Sequence, residues 1–162
     1  MKSRILFDIG HFDQSKEAIF NAIKFFDKDT SQKEVLFELC DQLFRLEQYE
    51  EYIRNIYKFD IDKLTFRQLQ QTEISIIKLG RNDILSSFYN DLIEKIGIHE
   101  HFGLRFIKFL REVLHDYKMQ YNLAKLYHEK FPEIFDGKMA FCRALIDIGN
   151  IDEAKQVDLS LD

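Results

Sequence analysis

Apolar residues recur along this chain at three- and four-residue spacings, and the recurrence is interrupted at regular intervals. Val35, Leu36, Leu39, Leu43 and Leu46 make one stripe, Leu69, Ile76, Ile77 and Leu79 a second, and Leu104, Ile107, Leu110 and Leu114 a third. Phe141, Leu145 and Ile148 repeat the pattern near the end. This is the spacing of one face of an α-helix. The interruptions fall at Gly10, Glu47, Gly80, His115 and Gly149, which lie 37, 33, 35 and 34 residues apart. After a break a second apolar face opens, with Ile19, Ala22 and Ile23 following the first, Ile84, Tyr89, Leu92 and Ile96 the third, and Ile151 and Ala154 the last. A helix, a residue that turns left-handed at its end, and a second helix starting at once make an antiparallel hairpin. A near-constant period in this range predicts a stacked helical array. The chain is therefore expected to be all-α, with ten helical segments in five pairs over residues 1–28, 31–60, 62–97, 99–132 and 134–162.

Boundary residues agree with this division. Ser31 with Glu34 reads as a capping box, and Asp62 or Thr65 can cap the helix that follows. Pro132 stands just after the helix predicted over Tyr117–Lys130, where it cannot continue the hydrogen-bond ladder. With one Pro and six Gly in 162 residues, long helices are favoured over a strand-and-turn architecture. Nine residues precede Gly10, and neither end carries the polar capping helix usual in such arrays. On that ground the domain is expected to be excised from a longer chain, its terminal pairs incomplete.

Charge and composition narrow the partners. A net charge of -5 argues against nucleic acid, whose phosphates need a basic surface. No apolar run reaches the ~18–20 residues that span a bilayer, so no membrane role is expected. The opening MKSRILFDIG lacks a signal-like apolar core with a small-residue cleavage site. Two distant Cys make no disulfide framework, and a cytoplasmic setting is the expectation.

The period and both halves of the hairpin give the chain its resemblance. FCRALIDIGNIDEAK, from Phe141 to Lys155, resembles the tetratricopeptide repeat family, with Cys142 at the small position of the first helix and Ala154 at that of the second. GHFDQSKEAIFNAI is similar, with Phe12 and Ala22, as are LFELCDQLFRLEQYEEY, with Leu39, Cys40, Leu43 and Tyr49, and KLGRNDILSSFYNDL, with Gly80 and Tyr89. Pro132 stands where that family often closes a repeat. Glu47 and His115 depart from the usual Gly, Lys108 occupies the small position of the fourth pair, and Asn82 and Gln120 are also off pattern. The resemblance implies a right-handed superhelical α-solenoid whose first helices line a concave groove and whose second helices form the convex face.

The residues that carry chemistry elsewhere do not assemble into a motif here. Cys40 and Cys142 sit where helices approach closely, and a small buried residue suits that place. His99, His101 and His115 suggest a metal site, but residues two apart on a helix do not face each other, and His99 and His101 lie at a helix start beside Gly97 and Gly103 with no Cys or carboxylate at ligand spacing. There is no phosphate-cradling loop and no nucleophile elbow. No enzyme activity, metal or cofactor is therefore expected of these 162 residues.

The groove is the candidate site. Positions that the family turns inward are Glu34, Phe37, Asp41 and Phe44 in the second pair, and Arg67, Gln70, Ile74 and Lys78 in the third. The fourth pair supplies Phe102, Arg105 and Phe109, and the fifth Met139, Arg143 and Ile146. The proposed partner-binding set is Phe37, Phe44, Arg67, Gln70, Lys78, Phe102, Arg105, Phe109, Met139 and Arg143. Arg and aromatic side chains together are common interface anchors. The expected function is a non-catalytic protein–protein interaction scaffold that holds an apolar or acidic segment of a partner protein. The alternative is the repeat region of a larger modifying enzyme, such as a bacterial glycosyltransferase, that positions a protein or polymer substrate. Self-association through the uncapped apolar ends is the third expectation.

Overall fold

A computed structural model describes residues 2–26, 33–157 and 159, and among them the chain is helical with no strand. Among the described residues there are ten α-helices: α1 (Lys2–Asp8), α2 (Phe12–Phe26), α3 (Lys33–Arg45), α4 (Tyr49–Ile56), α5 (Phe66–Lys78), α6 (Asn82–Ile96), α7 (Glu100–Phe109), α8 (Tyr117–Lys130), α9 (Phe135–Asp147) and α10 (Ile151–Ala154). A 3-10 turn at Ile61–Lys63 precedes α5, and a π-helical turn at Leu110–Leu114 closes α7. No helix of the described residues is long and apolar enough to cross a membrane. The chain divides into two compact units, residues 1–88 and 89–162, with the division inside α6.

Each break seen in the sequence is a left-handed residue. Gly10, Gly80 and Gly149 have φ of +82°, +67° and +83°, and the non-glycine breaks Glu47 and His115 adopt +57° and +53°. At Glu47 the amide donates to Phe44 O at 3.0 Å, and the next amide, of Gln48, donates to Leu43 O at 2.9 Å. Gly10, Gly80 and Gly149 repeat this pair of bonds at the same offsets. The pattern is a Schellman motif, which satisfies two orphan carbonyls and turns the chain back on itself.

The fourth break differs by one residue. There the amide of Asp116 donates to Leu110 O at 3.0 Å, six residues back where the other breaks reach five. The extra residue lies in the π turn. One inserted residue rotates the counting frame by about 100°. Lys108, counted back from His115 to the small buried position, is instead largely exposed, and its neighbour Ile107 is buried.

Capping also follows from local chemistry. Thr65, the second of the two candidates, accepts from the Gln68 amide while Gln68 Oε1 accepts from the Thr65 amide, a reciprocal capping box for α5. Asp62 lies in the 3-10 turn. The capping box expected at Ser31 and Glu34 rests on Ser31, which lies outside the described residues. His99 Nδ1 accepts from the His101 amide and caps α7, so two of the three histidines weighed as metal ligands serve a helix start.

In unit 1, successive helices from α1 to α5 pack each on the next. Ile19, Leu43, Ile56 and Ile76 are fully buried between them, each contributing roughly 1.5–3 kcal/mol on leaving water. Alternate helices are tied by polar side chains. Ser3 of α1 donates to Gln42 Oε1 of α3 at 2.6 Å. Asp41 of α3 accepts from Arg67 and Gln71 of α5 at 2.6 and 2.9 Å. Tyr52 of α4 reaches Gln68 O on α5 at 3.1 Å.

In unit 2, α7 packs on α8, α8 on α9, and α9 on both α10 and α7. The ring of Tyr127, on α8, is held between two glycines of other helices. A Cβ at Gly103 of α7 or at Gly137 of α9 would come within 2.7 Å of a ring carbon. The Tyr127 hydroxyl donates to Glu100 O at 2.9 Å. Glycine in a helix interior costs about 1 kcal/mol relative to alanine, so these two positions trade helix propensity for close packing on one aromatic ring.

Candidate functional site

The register within unit 2 opens a cleft between two of its helices. Gly103 and Gly137, early in α7 and α9, meet the same ring. Arg111 and Asp147, late in the same two helical stretches, pair at 2.8 Å. Thus α7 with its π turn runs beside α9 in the same direction. Between them opens a cleft of about 380 Å³. Leu104, Ile107, Phe135 and Met139 supply apolar walls, and Lys108, Arg111, Glu112, Asp136 and Arg143 charged ones. By contrast, the cleft beside α1 and α3 in unit 1 measures about 40 Å³.

Electrostatics within the cleft are unevenly committed. Arg111 Nε donates to Asp147 Oδ2, and Gln120 Nε2 of α8 donates to the same oxygen at 3.1 Å. The Asp147 carboxylate raises the pKa of Arg111 and holds it charged. Lys108 and Glu112 stand 3.9 Å apart, both well exposed. Such exposed pairs are worth ~0–1 kcal/mol. Arg143 is exposed and has no acidic partner among the described residues. Gln120 is 1 % exposed, and its Oε1 has no hydrogen-bond donor. A buried acceptor left unpaired costs roughly 1–3 kcal/mol.

The residues expected in the groove are distributed unequally. Met139 and Arg143 line the cleft, with Ala140 between them on α9. Phe102 and Phe109 are 3 % and 7 % exposed and belong to the core of unit 2. They point inward because the one-residue insertion separates the helix face from the frame counted back from His115. Arg105 is exposed but does not line the cleft. In unit 1, Phe37 stacks on Phe59 with ring centroids 4.0 Å apart, and Phe44 makes edge contacts with Tyr49 and Tyr52. Both rings are half-buried and serve their own hairpin. Arg67 is exposed and paired with Asp41, Gln70 is half-buried, and Lys78 is exposed.

Reading the sequence missed Lys108, Arg111 and Asp147 as site residues. Lys108 had been assigned a buried small position, and Gln120 stood out only as a departure from pattern. Nothing in the sequence links Arg111 to Asp147, 36 positions away, so no local signal marks the pair. Among the described residues no group of three or more His, Cys, Asp or Glu side chains gathers as a metal would require. Comparison with family models, with curated proteins and with solved structures finds no match to this chain.

Proposed function

We propose that the chain is a helical-repeat module of the tetratricopeptide kind, a stack of hairpins that works as a non-catalytic scaffold for protein–protein interaction. Its first helices form the receiving surface, and the α7–α9 cleft is the part of that surface that takes hold of a partner segment. The observation that carries this reading is the cleft itself: two first helices side by side, apolar walls, and an exposed Arg143 with no acidic partner among the described residues. The recurrent left-handed turns and the polar ties from α1 to α3 and from α3 to α5 support the hairpin stack. A size of about 380 Å³ is within the ~300–1,000 Å³ of ligand-binding clefts, and Arg beside apolar side chains is the composition of interface anchors.

Site-specific photo-crosslinking tests the reading. Met139 lies in the cleft, whereas Leu126 is exposed on α8 away from it. Benzoylphenylalanine placed at Met139 should cross-link a discrete partner in cells, and the same group placed at Leu126 should not. Equal labelling from both positions, or none from Met139, removes the scaffold function from this face.

A further inference from the structure

We infer that the α7–α9 cleft recognises an extended peptide in which an acidic residue adjoins a large apolar one, with Arg143 taking the carboxylate and Gln120 taking a peptide N–H. This deepens the scaffold reading and rests on it. The argument starts from a difference in saturation between two similar clusters. In unit 1, Asp41 accepts from Arg45, Arg67 and Gln71, and the cleft beside it is about 40 Å³. Three donors thus converge on that one carboxylate. In unit 2, Asp147 accepts from Arg111 and from Gln120 Nε2. Among the described residues that leaves two groups at the cleft with opposite demands: Gln120 Oε1, a buried acceptor without a donor, and Arg143, a cation without an acceptor.

A ligand that answers both must bring a hydrogen-bond donor and an anion, and an apolar group for Ile107 and Met139. An extended peptide offers backbone N–H groups at each residue and side chains on alternating sides. An acidic residue in it supplies donor and anion together. The distribution of charge along the cleft sets the direction. Asp136 precedes Arg143 by seven residues on α9, about 10 Å along the axis, and Glu112 faces Lys108. The carboxylate therefore belongs at the Arg143 end, beside Lys108, and the apolar residue over Met139. A basic segment would set its charge against Arg143, while of the two acids that line the cleft, Asp136 and Glu112, the second already faces Lys108.

Selection from a random heptapeptide library displayed on phage, using the whole chain as bait, tests the inference. Enriched sequences should carry Asp or Glu beside Leu, Ile, Phe or Met. A synthetic copy should bind at least about tenfold more weakly to Arg143→Glu, and likewise when its own acid is replaced by the amide. Gln120→Leu should weaken it several-fold; because Gln120 is buried, helical content of that variant is checked by circular dichroism, while exposed Arg143 gives the fold-neutral control. Enriched peptides that lack an acid, or that bind Arg143→Glu as well as the original, overturn the recognition rule and leave the scaffold reading standing. A library with no enriched peptide overturns both.

Discussion

In unit 1 the buried layer is laced with polar side chains: Ser3, Ser15, Gln42, Asn55, Gln71, Thr72, Glu73 and Ser75 are all buried. In unit 2, Gln120 alone among the described residues is of that kind, and the interior is aromatic, with Phe102, Phe106, Phe109, Tyr127 and Phe141. The polar groups of unit 1 satisfy one another locally. Ser15 donates to Ser3 O at 2.7 Å, Ser75 to Gln71 O at 2.7 Å, and Asn55 to Glu51 O at 2.8 Å. Unit 2 gains its closeness from two glycines against one ring. A hairpin period thus constrains helix length and turn, while the material between helices is free to differ. The cleft of about 380 Å³ lies in the unit that holds the unpaired buried Gln120 Oε1.

The contrast breaks most sharply at the two thiols. Burial pushes the Cys40 thiol in unit 1 up to about 12, whereas Cys142 in unit 2 is only half-buried. Because the thiolate is the reactive form and Cys40 is buried while Cys142 is only half-buried, Cys142 should react with a maleimide at pH 8 well before Cys40, as mass spectrometry of timed samples would record. The sign for stability follows: the folded chain keeps the Cys40 proton longer than the unfolded chain does. Its contribution is full below about 9, the ordinary thiol value, and is lost as pH climbs toward about 12. Cys40→Ala should flatten that alkaline decline.

Next in size are the glycines. Gly103→Ala and Gly137→Ala should each destabilise unit 2 by about 1–3 kcal/mol, measured by urea denaturation, because the ring of Tyr127 occupies the space a methyl needs. This reverses the usual gain from Gly to Ala in a helix. If both substitutions stabilise the chain, the ring is not clamped.

Smaller again is the difference between the paired aspartates. Asp147 is 17 % exposed at its side chain and its partner Arg111 39 %, against 27 % and 65 % for Asp41 and Arg67. Asp147→Asn should cost about 1–2 kcal/mol and Asp41→Asn less than about 1 kcal/mol, since water and salt screen the more open pair. Equal costs would mean that the two clusters do the same structural work. The smallest effect belongs to the turns. Glu47→Gly should raise the thermal midpoint slightly, by relief of a left-handed φ of +57° worth up to about 1 kcal/mol. His115→Gly should gain less, because the His115 ring also contacts Arg111 O at 3.0 Å.

Much of the helical layout was legible because it is written in short-range patterns. Apolar spacing marks the faces, and the five breaks occupy the left-handed positions even where Glu47 and His115 replace Gly, since backbone bonds across the turn, Schellman at Glu47 and one residue wider at His115, reward it regardless of side chain. Thr65 with Gln68 is likewise a local device. The candidate site was only partly legible. Met139 and Arg143 reached the cleft because α9 has an uninterrupted period, whereas Phe102 and Phe109 went to the core because a single extra residue in the π turn shifted the frame of α7.

What the amino-acid order determined alone, then, is helix, turn and period, all of which depend on neighbours within five or six positions. Tertiary structure decided which side chains meet across helices. The Asp147 carboxylate between Arg111 and Gln120, the Tyr127 ring between Gly103 and Gly137, and the unmet demands of Gln120 and Arg143 join residues 10 to 36 positions apart, or leave them without a partner among the described residues. Such pairings depend on the angle and register at which whole helices settle, a property of summed packing that no local pattern carries.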